Sequence, residues 1–248
     1  LGHCAPNVPY NMQKHSQATD LDCPLILNED CIVCNQGKMT VAPYPSRDSR
    51  FPSRDADPWE IVYCDGYGGQ DSLGQTIGGA NAGILFVCAT TGDWYKHLKS
   101  SDKQFPRILR KLFLHVEGMK LRTRLLIVDT YSANISAEAE AVAAEFEVHI
   151  RPASAGSPQE MGVAERAVHE LRRMTRCSLA AAPHLPRSFW GLADAYNVWL
   201  HHILPRSKDG ISPFLAINNR PPNLKSLFIH PFGCPVAFKP MKSTAESS

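Results

Sequence analysis

The 248-residue chain contains no run of 18 apolar residues, so no segment reads as a membrane-crossing helix and no membrane partner is expected. Its N-terminus lacks the succession of basic, apolar and small residues that marks a secretory signal. Net charge is only +2, which excludes the strongly basic composition that would by itself announce a nucleic-acid binder. The glycine-rich stretch from Gly66 to Gly83 lacks the lysine and helix start of a P-loop, which argues against a phosphate cradle of that kind. No basic import cluster is present either.

What is there suits one well-packed core and a small satellite, since 44 % of the residues are apolar. Charge is unevenly spread. Between Lys96 and Arg124 stand nine Lys or Arg against Asp102 and Glu117, whereas residues 136–147 carry four glutamates and no base. A basic side of this sort suits a phosphate-backbone partner and equally suits a solvated helix face. Of eight cysteines, Cys4, Cys23, Cys31 and Cys34 cluster near the start, where metal binding is favoured over disulfides. Cys64, Cys88, Cys177 and Cys234 lie in apolar surroundings and read as small hydrophobes.

Residues 42–58 mix proline, serine and alternating charge and read as a linker. The core begins at Trp59. A strand ending at Asp65 is followed by a glycine-rich loop or wide hairpin, then by two strands joined at Thr91-Gly92-Asp93. Phe105, Ile108, Leu109, Leu112, Phe113 and Val116 mark an amphipathic helix with Gly118 expected as its C′ cap. A buried strand R-L-L-I-V-D ends at Asp129; a helix near Ser136 to Phe146, the strand V-H-I-R and two further helices follow. This order predicts an α/β sandwich.

The organising stretch is Ser157 to Pro183. Met161, Ala164, Val168, Leu171, Thr175 and Leu179 recur at helical spacing, with Pro158 near the start and Pro183 as the stop. A second row, Glu165, His169, Arg172 and Arg176, lies about 90° round the same helix. By itself it is an ordinary solvated face. Asp65 and Asp129 at strand ends change its meaning, because three carboxylates from two strands and one helix can converge. The interval between Asp129 and Glu165 is 35 residues.

On these residues and the helix motif G-V-A-E-R the chain resembles the retroviral and retrotransposon integrases with their D-D-35-E pattern, above all the copia (Pseudoviridae) type. The likeness extends to the segment after Pro183 and to Phe232-Gly233-Cys234. It implies a ribonuclease H-like mixed five-stranded sheet flanked by helices, preceded by a small zinc-binding module. The implied organisation is a zinc-binding module over residues 1–41, a linker over 42–58, a catalytic core over 59–205 and an extension over 206–248. The opening at Leu1, inside the L-G-H-C motif, further suggests a piece of a longer polyprotein.

The implied chemistry is 3′-end trimming and strand transfer of element DNA. Asp65, Asp129 and Glu165 would hold two Mg²⁺ or Mn²⁺ ions, because hard divalent ions prefer anionic oxygens and an ion pair activates both the attacking and the leaving oxygen. His3, Cys31 and Cys34 would bind structural zinc, with a first histidine preceding Leu1; alternatively His15 completes the set, or Cys4 or Cys23 substitutes. His169, Arg172, Arg173 and Arg176 would face DNA phosphates, with Lys120, Arg122 and Arg124 extending that surface. Double-stranded DNA partners, homo-oligomers and a nuclear location follow from the likeness alone.

The sequence departs from the family at three places, none of which removes one of the three implied metal ligands. Thr130-Tyr131 stand where Asn-Gly is common, Glu160-Met161-Gly162 follow Gln159, and Gly68-Gly69 replace a Gly-Pro. Two other readings stay open at this stage: another nuclease of the same fold, or a degenerate or captured copy that only binds DNA or protein.

Overall fold

The computed structural model describes residues 56–68, 74–129, 136–153, 158–205, 210–227 and 229–235, with only the backbone described for 158–160. His3, Cys4, His15, Cys23, Cys31 and Cys34 lie outside these residues, as does nearly all of the expected linker.

Strand β1 (Ile61–Gly68) pairs antiparallel with β2 (Ala82–Cys88), and β2 pairs antiparallel with β3 (Trp94–Lys99). The β2–β3 turn is the expected Thr91-Gly92-Asp93, with Gly92 at φ 67°, where the absence of a Cβ removes the steric cost. Helix α1 (Phe105–Gly118) then carries the chain to β4 (Leu125–Val128), which pairs parallel with β1. Helix α2 (Ala137–Glu145) leads to β5 (His149–Pro152), parallel to β4. The sheet order is β3-β2-β1-β4-β5. Helices α3 (Pro158–Ala181), α4 (Trp190–Ile203) and the short α5 (Pro213–Asn218) complete the described chain.

Side-chain alternation divides this sheet between two cores. Val62, Cys64, Ile84, Phe86, Leu126 and Val128 point to α1 and α2. Tyr63, Tyr67, Leu85, Val87 and Ile127 point to α3 and the start of α4. The apolar row foreseen on α3 does face this second core, with Met161, Ala164, Val168, Leu171 and Thr175 all buried. Residues beyond 205 pack back on the helices: the Tyr196 hydroxyl donates to the His230 carbonyl at 2.7 Å, and Gly233, at φ 75°, sits so close to Ala182 that an added Cβ would lie 2.6 Å from its methyl.

Two local expectations are corrected. Gly118 is the last residue of α1 rather than its C′ cap; the left-handed position falls on Lys120, at φ 60°. Asp65 does not end its strand. Gly66, Tyr67 and Gly68 continue β1 because their backbones pair with Ile84, Gly83 and Ala82, and ladder hydrogen bonding outweighs the weak strand propensity of glycine. Gly83 lies opposite Tyr67, whose ring occupies the space a Cβ would need. Gly83→Ala should therefore lose about 1–3 kcal/mol through overpacking. A thermal melt coincident with wild type would show that the ring moves aside without cost.

Candidate active site

Asp65 shares the α3-facing side of β1 with Tyr63 and Tyr67, two residues away on either side. Asp129 follows Val128 and shares the parity of Ile127. The parallel register sets Cys64 beside Val128, so Asp65 and Asp129, one step on, stand on adjacent strands about 4.8 Å apart by strand spacing. Glu165 arrives from above. It is exposed and directly follows Ala164, which is fully buried and seats the first half of α3 on the sheet.

The charges of the other two acids act on Asp65. Burial, then the charges of Asp129 and Glu165, push the Asp65 carboxyl up to about 6; a Gly66 backbone hydrogen bond and the Arg172 guanidinium oppose the rise. Next to Asp65 but on the opposite face, Cys64 is buried, and burial raises its thiol far above the ordinary range, so it is no nucleophile.

Among the described residues, no three His, Cys, Asp or Glu side chains form a cage for a metal ion. Three acids arrayed around two ions need supply only two protein ligands to each, with water and substrate oxygens filling the remainder. The donor set is anionic oxygen alone, and the mutual repulsion recorded on Asp65 is what a divalent cation would relieve. The residues thus fit hard divalent ions.

This repulsion has a consequence for stability. Because folding raises the Asp65 pKa, the folded state favours the protonated form; that contribution is complete below the ordinary carboxylate range and is lost as pH rises towards about 6. Asp65→Asn should therefore raise the melting temperature of the metal-free protein, slightly at about pH 4 and more at about pH 7. Equal gains at both pH values would contradict this.

The expected basic surface is only partly assembled. His169 and Arg176 are exposed on the same side of α3 as Glu165. Arg173 is instead held by a bidentate pairing with Glu170, at 2.9 and 2.7 Å. Arg172 is half-buried, with its Nε inside the fold, and its charge acts on Asp65, Tyr67 and Asp194. Lys120 and Arg122 precede β4, whereas Asp129 follows it, so the length of the strand, roughly 13 Å by rise per residue, separates them from the acids. Arg122 pairs with Glu147, and Arg124 lies 3.6 Å from Glu60. Lys120, Arg122 and Arg124 thus stand at the opposite end of β4 from Asp129.

One part of the site was not foreseen. Asp194, on α4, is 2 % exposed and accepts hydrogen bonds from the Tyr67 hydroxyl at 2.8 Å and from Thr175 Oγ1 at 2.5 Å. Lys96 Nζ, whose charge also acts on Asp194, donates to the Gly191 carbonyl at 2.7 Å. The available signal was an acid inside the helical stripe Trp190, Ala193, Asn197 and Leu200.

The fold has counterparts among solved structures. The simian T-cell lymphotropic virus intasome, solved in complex with the PP2A regulatory subunit B56 gamma, aligns with a TM-score of 0.55 at 16 % identity, over 77 % of this chain. This chain spans 62 % of that one. The HTLV-2 integrase catalytic core domain, solved with magnesium in a trimeric form, aligns at 0.50 and 13 % identity, over 65 % of this chain and 97 % of that domain. The fold is that of retroviral integrase catalytic cores. No protein-family model matches the sequence, and no curated protein matches it. Asp65, Asp129 and Glu165 therefore stand on their own geometry within that fold.

Proposed function

We propose that this chain is a retroelement integrase of the copia type, a metal-dependent polynucleotidyl transferase acting on double-stranded DNA with Asp65, Asp129 and Glu165 as its catalytic carboxylates. The observation that carries this reading is the parallel register that sets Asp65 of β1 beside Asp129, just past β4, with Glu165 on α3 close enough for its charge to act on Asp65. Asp65, on the central strand of the sheet, would contact both ions; Asp129 would hold one and Glu165 the other. Bound divalent ions would activate the attacking oxygen and stabilise the leaving one.

The protein's own share is positional. The sheet fixes Asp65 and Asp129, so neither has to be ordered when substrate arrives. The exposed His169 and Arg176 continue from Glu165 along α3 and would take DNA phosphates, which sets register on the duplex without reading base sequence. The magnesium bound to the HTLV-2 domain and its trimeric form support divalent ions as cofactors and a homo-oligomer as the working state. The zinc-binding module over residues 1–41, with His3, Cys31 and Cys34, and the nuclear location belong to the same proposal.

Incubating the purified chain with Mn²⁺ or Mg²⁺ and a short duplex ending in candidate element termini tests the reading. Metal-dependent trimmed and joined products are expected; no cleavage of any duplex by folded protein would overturn it. Affinity for duplex DNA should fall steeply with salt, and Arg176→Ala should lower the magnitude of the log–log salt slope by about 1. An unchanged slope would place Arg176 off the DNA path.

A further inference from the structure

We propose that Asp194 is a positioning residue for the acidic site, tying Tyr67 of β1 to Thr175 of α3 so that the two elements carrying Asp65 and Glu165 are held in place for the ions. The inference rests on the active-site reading above and assigns a role to a residue on a different helix from any of the three acids.

An aspartate buried on a helix stripe is unfavourable unless its oxygens are satisfied and its charge is balanced, and an apolar side chain there would commonly give equal or greater stability. Here both oxygens are used: Oδ2 by the Tyr67 hydroxyl and Oδ1 by Thr175. Each donor is tied to the site. Tyr67 stands two residues beyond Asp65 on the same face of β1, so fixing its hydroxyl fixes the strand surface beside Asp65. Thr175 stands one turn beyond Arg172 on α3, so the bond to Asp194 anchors the helix at the turn that carries the guanidinium.

Asp194 thus ties β1 beside Asp65 to α3, the helix that carries Glu165, through one pair of hydrogen bonds. Replacing one of its two acceptor oxygens by an amide nitrogen would loosen one of these ties.

Asp194→Asn keeps the shape and one acceptor oxygen while removing the charge. The test titrates Mn²⁺ into the full chain without DNA, followed by electron paramagnetic resonance well below the melting temperature, and measures strand-transfer kcat and KM in parallel. The expected result is a Mn²⁺ midpoint weakened at least about threefold, and kcat lowered about tenfold with KM for DNA unchanged. A lower melting temperature with wild-type midpoint and kcat would reduce Asp194 to a buried core residue and overturn the proposal. Should Asp194→Asn not fold, Tyr67→Phe carries the test: kcat falls about threefold with KM unchanged, and an unaltered kcat overturns it. If wild type binds no Mn²⁺ at all, the active-site reading fails and this inference falls with it; Mn²⁺ binding equal in wild type and Asp194→Asn sinks this inference alone.

Discussion

Glu165→Gln removes strand joining, by at least about a thousandfold, or ~4 kcal/mol of transition-state stabilisation, while the protein melts as wild type does. The side chain is exposed and fills no part of either core, so the amide costs the fold nothing that packing could register. What it removes is one of three anionic oxygen donors, and with it the charge that would hold one divalent ion against the sheet. Joined products from wild type and variant, resolved on a denaturing gel at matched protein concentration, check the expectation. Retention of more than about a tenth of wild-type activity, about 1.4 kcal/mol of loss or less, would mean that Glu165 is a bystander on a solvated helix.

The largest effect on stability is expected at Trp190. It is among the largest fully enclosed side chains, 2 % exposed, and packs with Leu85, Val87, Val168 and Leu171 in the core beneath α3. Its indole nitrogen donates to the Gly74 carbonyl at 3.1 Å, which ties the start of α4 to the segment that leads into β2. Trp190→Ala should lose about 3–5 kcal/mol and lower the melting temperature by roughly 10 °C or more. Because this core seats α3, Mn²⁺ binding should weaken in the same variant. A shift below about 3 °C, under 1–2 kcal/mol for a domain of this size, would show that the α3 core closes over the lost indole.

The sheet and its helices were legible because their signals are local. The apolar run before Asp129, the hairpin turn at Gly92 and the 3.6-residue rows of α1 and α3 each specify an element without reference to the rest of the chain. The reach of β1 beyond Asp65 was not legible, since its last three residues are held by pairing with β2 rather than by their own propensity. The spacing of the acids pointed to convergence, and the parallel register of β1 with β4 is the physical reason that Asp65 and Asp129 meet. Spacing could not tell inward from outward among the arginines. Arg172 and Arg176 share a row on α3, yet one is half-buried and the other exposed, because the sheet and α4 cover only part of that row. Lys120 and Arg122 are close to Asp129 in sequence but stand at the other end of a strand, which no composition count reveals. Asp194 was hidden for a related reason: its partners are Tyr67, far away in sequence, and Thr175, which looked like part of an apolar row.

The most direct test of the central claim is anomalous scattering from a crystal of the chain soaked in Mn²⁺. The account predicts manganese peaks bounded by the carboxylates of Asp65, Asp129 and Glu165, lost in the Glu165→Gln protein at the position nearest residue 165. Manganese bound elsewhere with this cluster empty, in a crystal whose β1, β4 and α3 are in place, would contradict it.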